Sequence, residues 1–171
     1  MAKASRAKGI AQMEMPKGLG DSDKKIFELA QRTMRGETSL KAELGLTEKE
    51  LEGIYAVAYN LYRNGKYGDA RLCFAYLCMF DPTVYKYVFG IASCFQAEGQ
   101  YQAAGTYYAF ASGLDQAQPA PFLHLGECLL ALSDRPGAKT SFERAIKLAG
   151  EKADYKAVKS KAAVILENLK S

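Results

Sequence analysis

From Leu51 onward the chain repeats itself every 34 residues, three times and without a gap. The units are Leu51 to Pro82 with a two-residue linker, Tyr85 to Gln118, and Pro119 to about Lys152. Each opens with a large apolar residue (Ile54, Val88, Phe122), followed by a second (Val57, Ile91, Leu125), a small residue (Ala58, Ala92, Gly126) and another large one (Leu61, Phe95, Leu129). Further along come an alanine (Ala70, Ala104, Ala138), an aromatic (Phe74, Tyr108, Phe142) and a third apolar position (Leu77, Ala111, Ala145). Residues three and four apart share one helix face, so each unit encodes two amphipathic helices whose apolar stripes must meet.

Where two helices cross, small side chains let the axes approach to roughly 8–10 Å. Ala58 with Ala70, Ala92 with Ala104, and Gly126 with Ala138 meet that need. Gly65 and Gly99 fall in the turn between the helices, where a left-handed residue is often required. Ser133 stands there in the third unit, which predicts a turn built differently, with Pro136 starting the second helix. Asp81-Pro82 closes the first unit, because proline disfavours helix in the residue before it. Repeats of this length and size order are the signature of tetratricopeptide helix pairs.

The flanks complete the array. Asp21-Ser22-Asp23 can cap a helix running from about 21 to 36, with Ile26, Phe27, Leu29, Ala30 and Met34 as its apolar content and Gly36 as its stop. Such a helix could cap the open end of the repeats or be shared with a second copy. Thr47-Glu48-Lys49-Glu50 reads as a capping box for the first repeat helix. After the repeats, Tyr155, Val158, Ala162, Ile165, Leu166 and Leu169 trace one stripe of a terminal helix over about 153–170, which the last repeat needs to cover its face. The expected fold is all-α: a tetratricopeptide-repeat solenoid of three helix pairs with an N-terminal helix and a C-terminal capping helix. A basic leader (1–20) would precede a single domain (21–171).

Charge and cysteine usage narrow the function. Lys3, Arg6, Lys8 and Lys17 against Glu14, and five lysines against three acids over 151–171, account for the net charge of +4 and leave −1 for the 130 residues between. A nucleic-acid binder should carry a basic stripe on a folded face, and none is evident. Cys73 and Cys78 have no second pair downstream, so zinc is disfavoured and the four cysteines read as small buried hydrophobes. His124 sits between Leu123 and Leu125 with no nucleophile motif near it and reads as structural. No phosphate loop, paired carboxylates or catalytic constellation is present, so neither an enzyme nor a cofactor is expected. No stretch approaches the roughly 20 apolar residues of a membrane span, and the leader lacks the apolar core of a secretory signal. A cytoplasmic binding protein is expected.

The first repeat helix shows where a partner could bind. Beside its core stripe it carries Tyr55, Tyr59 and Tyr62, displaced by roughly 120° at about 100° per residue. The same positions are Phe89, Ser93 and Gln96 in the second repeat and Leu123, Glu127 and Leu130 in the third. First helices line the concave side of such a stack, so these nine residues would face a groove suited to an extended peptide. Packing of the tyrosines against the chain's own N-terminal helix is the competing reading.

The segment Leu51 to Ala70, LEGIYAVAYNLYRNGKYGDA, and the later CFAYLCMFDP resemble the class II chaperones of bacterial type III secretion, over roughly residues 21–170. The resemblance implies a homodimeric chaperone that holds an extended N-terminal segment of a hydrophobic translocator protein before export. It places Tyr55, Tyr59, Tyr62 and Phe89 in the groove and Ile26, Phe27 and Leu29 at the dimer contact, within the helix that also carries Ala30 and Met34. Ser133 and Arg135 depart from the family's glycine and aromatic. A eukaryote-like co-chaperone would instead need Lys and Asn where Tyr55 and Tyr59 stand, while a generic repeat scaffold or regulatory subunit remains open.

Overall fold

The computed structural model describes residues 24, 25, 28, 32, 33 and 37–169, which form two compact units, 1–51 and 52–171. In the first, helix α1 (Leu40–Glu43) starts at Ser39, whose hydroxyl accepts from the Ala42 amide at 3.1 Å. Arg32 pairs with Glu43 at 2.8 Å, and Lys41 pairs with Glu48. At the start of α2 (Glu48–Arg63) the capping box is reciprocal: the Thr47 amide donates to Glu50 Oε2 at 2.8 Å, and the Glu50 amide donates to Thr47 Oγ1 at 3.3 Å. The expected dimer residues Ile26, Phe27, Leu29, Ala30 and Met34 lie outside the described residues.

Three helix pairs follow the 34-residue frame: α2 with α3 (Tyr67–Phe80), α4 (Tyr85–Ala97) with α5 (Tyr101–Leu114), and α6 (Ala120–Ala131) with α7 (Arg135–Ala149). From α3 onward each helix packs on its successor, and a 3-10 turn (Ala153–Tyr155) leads into α8 (Lys156–Asn168), which packs on α7. The small residues sit where the size pattern requires them: Ala58, Ala70, Ala92, Ala104 and Ala138 have no exposed surface. Gly126 is equally constrained, since a Cβ there would lie 2.6 Å from the ring of Phe142. Gly90 supplies a second close approach, with a hypothetical Cβ 2.7 Å from the Phe74 ring.

The third turn corrects the expectation of a different build. Gly65, Gly99 and Ser133 all take the left-handed conformation, with φ of 75°, 74° and 65°. Their amides donate to Tyr62, Gln96 and Leu130 carbonyls, and the next amides reach back to Leu61, Phe95 and Leu129. This is one repeated Schellman closure, and in the third unit serine is forced into it at a cost of about 1 kcal/mol. Asp134 then caps α7 by accepting from the Gly137 amide at 2.9 Å. That helix begins at Arg135, one residue before Pro136, and Arg135 Nη2 donates to the Leu169 carbonyl at 3.3 Å.

The capping helix meets its purpose: Ala162 is fully buried with Leu123, Phe142 and Ala145, and Val158, Ile165, Leu166 and Leu169 pack on that cluster. Val57 departs from its expected place in the core, being 54% exposed. Leu125, its equivalent two repeats on, packs against Ala104 and Tyr108 of the preceding repeat. Val57 opens the series and has no preceding pair to meet. All four cysteines are free thiols; Cys94 and Cys128 are buried, and burial pushes Cys78, Cys94 and Cys128 up to about 11. These three are thiols rather than thiolates at neutral pH. No described helix is long and apolar enough to cross a membrane, and no described cluster of His, Cys, Asp and Glu could hold a metal ion.

Candidate peptide-binding cleft

The tyrosine stripe of α2 and the facing side of α4 enclose a cleft of about 200 Å³. Six residues singled out from the sequence line it: Tyr55, Tyr59 and Tyr62 from α2, and Phe89, Ser93 and Gln96 from α4. Tyr55 is wedged between Phe74 (ring centroids 5.7 Å) and Tyr87 (6.0 Å), and Tyr62 rests on Tyr67 (5.4 Å). Burial pushes both phenols above the ordinary tyrosine value. Tyr59 remains 50% exposed at the opening. Lys86 lies 4.6 Å over the Tyr55 ring and is paired with Glu52, whose hydrogen bond raises the lysine pKa. Lys86 and Gln96 stand ten residues apart on α4, about 15 Å along its axis. That is room for roughly four to five residues of extended chain.

The other three positions behave differently. Leu123 is only 3% exposed, enclosed with Ala162 of α8, and Leu130 packs on the same cluster. The capping helix covers the third repeat, whereas Tyr55 and Phe89 are only half-buried in the first two. Glu127 stands behind the lining and organises it. Its Oε2 accepts from Gln96 Nε2 at 2.9 Å and lies 3.0 Å from His124 Nδ1, while Oε1 is 2.6 Å from Lys161 Nζ of α8. Burial is the largest single influence and opposes ionisation, yet the hydrogen bonds from His124, Lys161 and Gln96 together outweigh it and bring the Glu127 carboxyl down to about 2.

Phe74, Lys86, Gly90, Tyr108 and His124 also line the cleft and were not read from the sequence as site residues. Tyr108 takes the position held by Phe74 and Phe142 in the other repeats, and its hydroxyl is 2.7 Å from Gln96 Oε1 and 3.1 Å from Ser93 Oγ. The available signal was that lone hydroxyl at an otherwise phenylalanine position. His124 stacks on Tyr108 at 5.3 Å and 18°, and meets Phe89 edge-on at 5.6 Å. It forms part of the cleft wall.

The fold and cleft define a helical-repeat binding protein, with aromatic pockets and fixed hydrogen-bonding groups. Residues 51–82 match the tetratricopeptide repeat family. The low calcium response locus protein H of Yersinia pestis is 29% identical over 150 residues, covering 87% of this chain and 89% of that protein. PcrH of Pseudomonas aeruginosa, solved with the chaperone binding region of PopB, is 35% identical with a TM-score of 0.69 over 71% of this chain and 98% of that one. The Yersinia enterocolitica type III secretion chaperone SycD, solved with a peptide of the translocator YopD, is 31% identical with a TM-score of 0.70 over 73% of this chain and 95% of that one. The chain belongs to the family of type III secretion translocator chaperones.

Proposed function

We propose that this protein is a cytoplasmic, non-enzymatic chaperone that holds an extended segment of a hydrophobic type III secretion translocator in the cleft between α2 and α4. The observation that carries the reading is the cleft itself: tyrosine and phenylalanine side chains from two helices around about 200 Å³ of space. That volume is below the roughly 300–1,000 Å³ of a small-molecule site and suits one or two apolar side chains of a longer ligand. PcrH and SycD bind translocator segments on a closely similar fold. Tyr55, Tyr59, Tyr62, Phe89, Ser93 and Gln96 are the contact residues in this reading.

The physical benefit to the client is mass action. A protein destined to enter a membrane exposes apolar segments that associate in water, and occupying one lowers the concentration of the aggregating form. Two buried anchors contribute about 1.5–3 kcal/mol each, short of the roughly 8 kcal/mol of a micromolar complex, so contacts along the rest of the segment must supply the remainder and offset the ordering costs. Release at the secretion machinery then needs no nucleotide. A homodimer, built through the helix carrying Ile26, Phe27, Leu29, Ala30 and Met34, is part of the proposal; relatives include a SycD dimer of alternative form.

The test is co-expression with the proposed client, a hydrophobic type III secretion translocator from the same genome. The client should remain in the soluble fraction with the chaperone and precipitate without it. A client equally soluble alone would count decisively against the reading.

A further inference from the structure

One carboxylate fixes the hydrogen-bonding character of the cleft. An ionised carboxylate only accepts, so each of its partners must donate. His124 Nδ1, 3.0 Å from Glu127 Oε2, therefore carries the ring hydrogen, and Gln96 turns its amide nitrogen to the same oxygen. Gln96 Oε1 is thereby left to receive the Tyr108 hydroxyl at 2.7 Å, and the Ser93 hydroxyl is 2.9 Å from the Phe89 carbonyl, to which it donates. When the ring is neutral it has a single N–H, so His124 Nε2 then keeps a bare lone pair. Stacking on Tyr108 and the edge of Phe89 hold the ring in the cleft wall. Among the described residues no hydrogen-bond partner to that nitrogen is present.

An extended segment entering this cleft brings a backbone N–H every residue. An amide hydrogen placed among Tyr55, Phe74 and Phe89 loses water and must find an acceptor. The hydroxyl oxygens of Ser93, Tyr55, Tyr59 and Tyr62 can also accept, but each rotates, whereas the imidazole nitrogen is the acceptor whose direction is fixed by a ring stack and a carboxylate.

We propose that His124 is a specificity-determining residue of the cleft, accepting at Nε2 a hydrogen bond from one backbone N–H of the bound segment, with Glu127 as the positioning residue that sets its tautomer. The inference rests on the peptide-binding reading above. Its chemical consequence is a position in the client where proline, which has no N–H, is refused.

The test uses the tag-free full chain and synthetic peptides tiling the chaperone binding region of PopB. His124→Phe keeps the ring stack and removes both nitrogens. It should weaken the best peptide about fivefold to tenfold, the size of one hydrogen bond. N-methylation at one backbone position should weaken binding to the wild type by a similar factor and to His124→Phe by less than about twofold. Equal affinity of the two proteins, or the same N-methyl penalties in both, overturns the proposal. If no peptide binds the wild type, the proposed function itself falls. Because the chain has a single histidine, its ¹⁵N spectrum reports the tautomer whether or not the variant folds: Nδ1–H is expected, and Nε2–H in the free protein overturns the assignment.

Discussion

Replacing Glu127 by glutamine keeps the shape of the side chain and removes its charge, and the consequence depends on pH in a way the structure specifies. The carboxyl titrates near 2 in the folded chain against an ordinary 4.5. A depressed folded pKa stabilises the native state fully above the unfolded value, and the contribution is lost as pH falls toward the folded value. The side chain is 18% exposed, so solvent screening removes only part of the effect. A shift of this size corresponds to roughly 2–3 kcal/mol at neutral pH. Glu127→Gln should therefore be less stable than the wild type by about that amount from pH 7 down to about 5, and more than half of the gap should be gone by about pH 3. Urea unfolding followed by far-ultraviolet circular dichroism, on both proteins across this range, measures the difference, and titrations common to both cancel. A gap that stays constant or widens between pH 5 and 3 refutes the reasoning, because the network would then not be holding an ionised carboxylate.

Three further outcomes follow from particular contacts. Ser133→Gly should stabilise the chain by about 1 kcal/mol, since glycine takes φ of 65° without the strain serine bears; a thermal midpoint raised by roughly 2–4 °C is the check. Gly126→Ala gains about 1 kcal/mol of helix propensity but drives a methyl to within 2.6 Å of the fully buried Phe142 ring. Overpacking costs about 1–3 kcal/mol, so the urea midpoint should fall or at best stay level, and a clear rise would contradict the close approach. Tyr59→Ala, at a residue half exposed, should leave the thermal midpoint within about 1–2 °C, because surface substitutions stay within about 0.5 kcal/mol. It should still weaken client binding several-fold by fluorescence anisotropy.

The helical frame was legible because it depends on spacing and size. Ala58, Ala70, Ala92, Ala104 and Ala138 announce the crossings from sequence alone, and each is fully buried. The capping box at Thr47 and Glu50 is local and was equally readable. Ser133 misled because residue preference was taken as a rule about geometry. The two backbone hydrogen bonds of the turn, with the helices on either side, impose the left-handed conformation whatever residue stands there. Val57 and Leu123 misled for the opposite reason: the repeat treats equivalent positions alike, while burial depends on what lies next in the stack. One opens the repeat series, and the other lies beneath α8. His124 and Tyr108 escaped notice as site residues because their importance arises from five helices meeting, a relation that no single helix period encodes.

That meeting explains how a repeat becomes a site. Position for position, Tyr59, Ser93 and Glu127 are the same residue of the frame, as are Tyr62, Gln96 and Leu130. Had the repeats been identical, the inner surface would be a uniform row of tyrosines, and an extended chain could slide along it one residue at a time. Instead the aromatic wall of the first repeat faces an amide and a hydroxyl from the second, and the amide is set by a carboxylate from the third, which leaves its oxygen to the Tyr108 hydroxyl. Lys161 of α8 holds the far oxygen of that carboxylate, so the helix that seals the last repeat also braces the lining of the cleft. Apolar pockets supply affinity with little regard to register, whereas a buried amide hydrogen without an acceptor is costly. The graded substitution across three equivalent positions thus fixes where along its length a bound segment can rest, and the capping helix, at the opposite end of the repeats from the tyrosines, contributes to that register through Glu127.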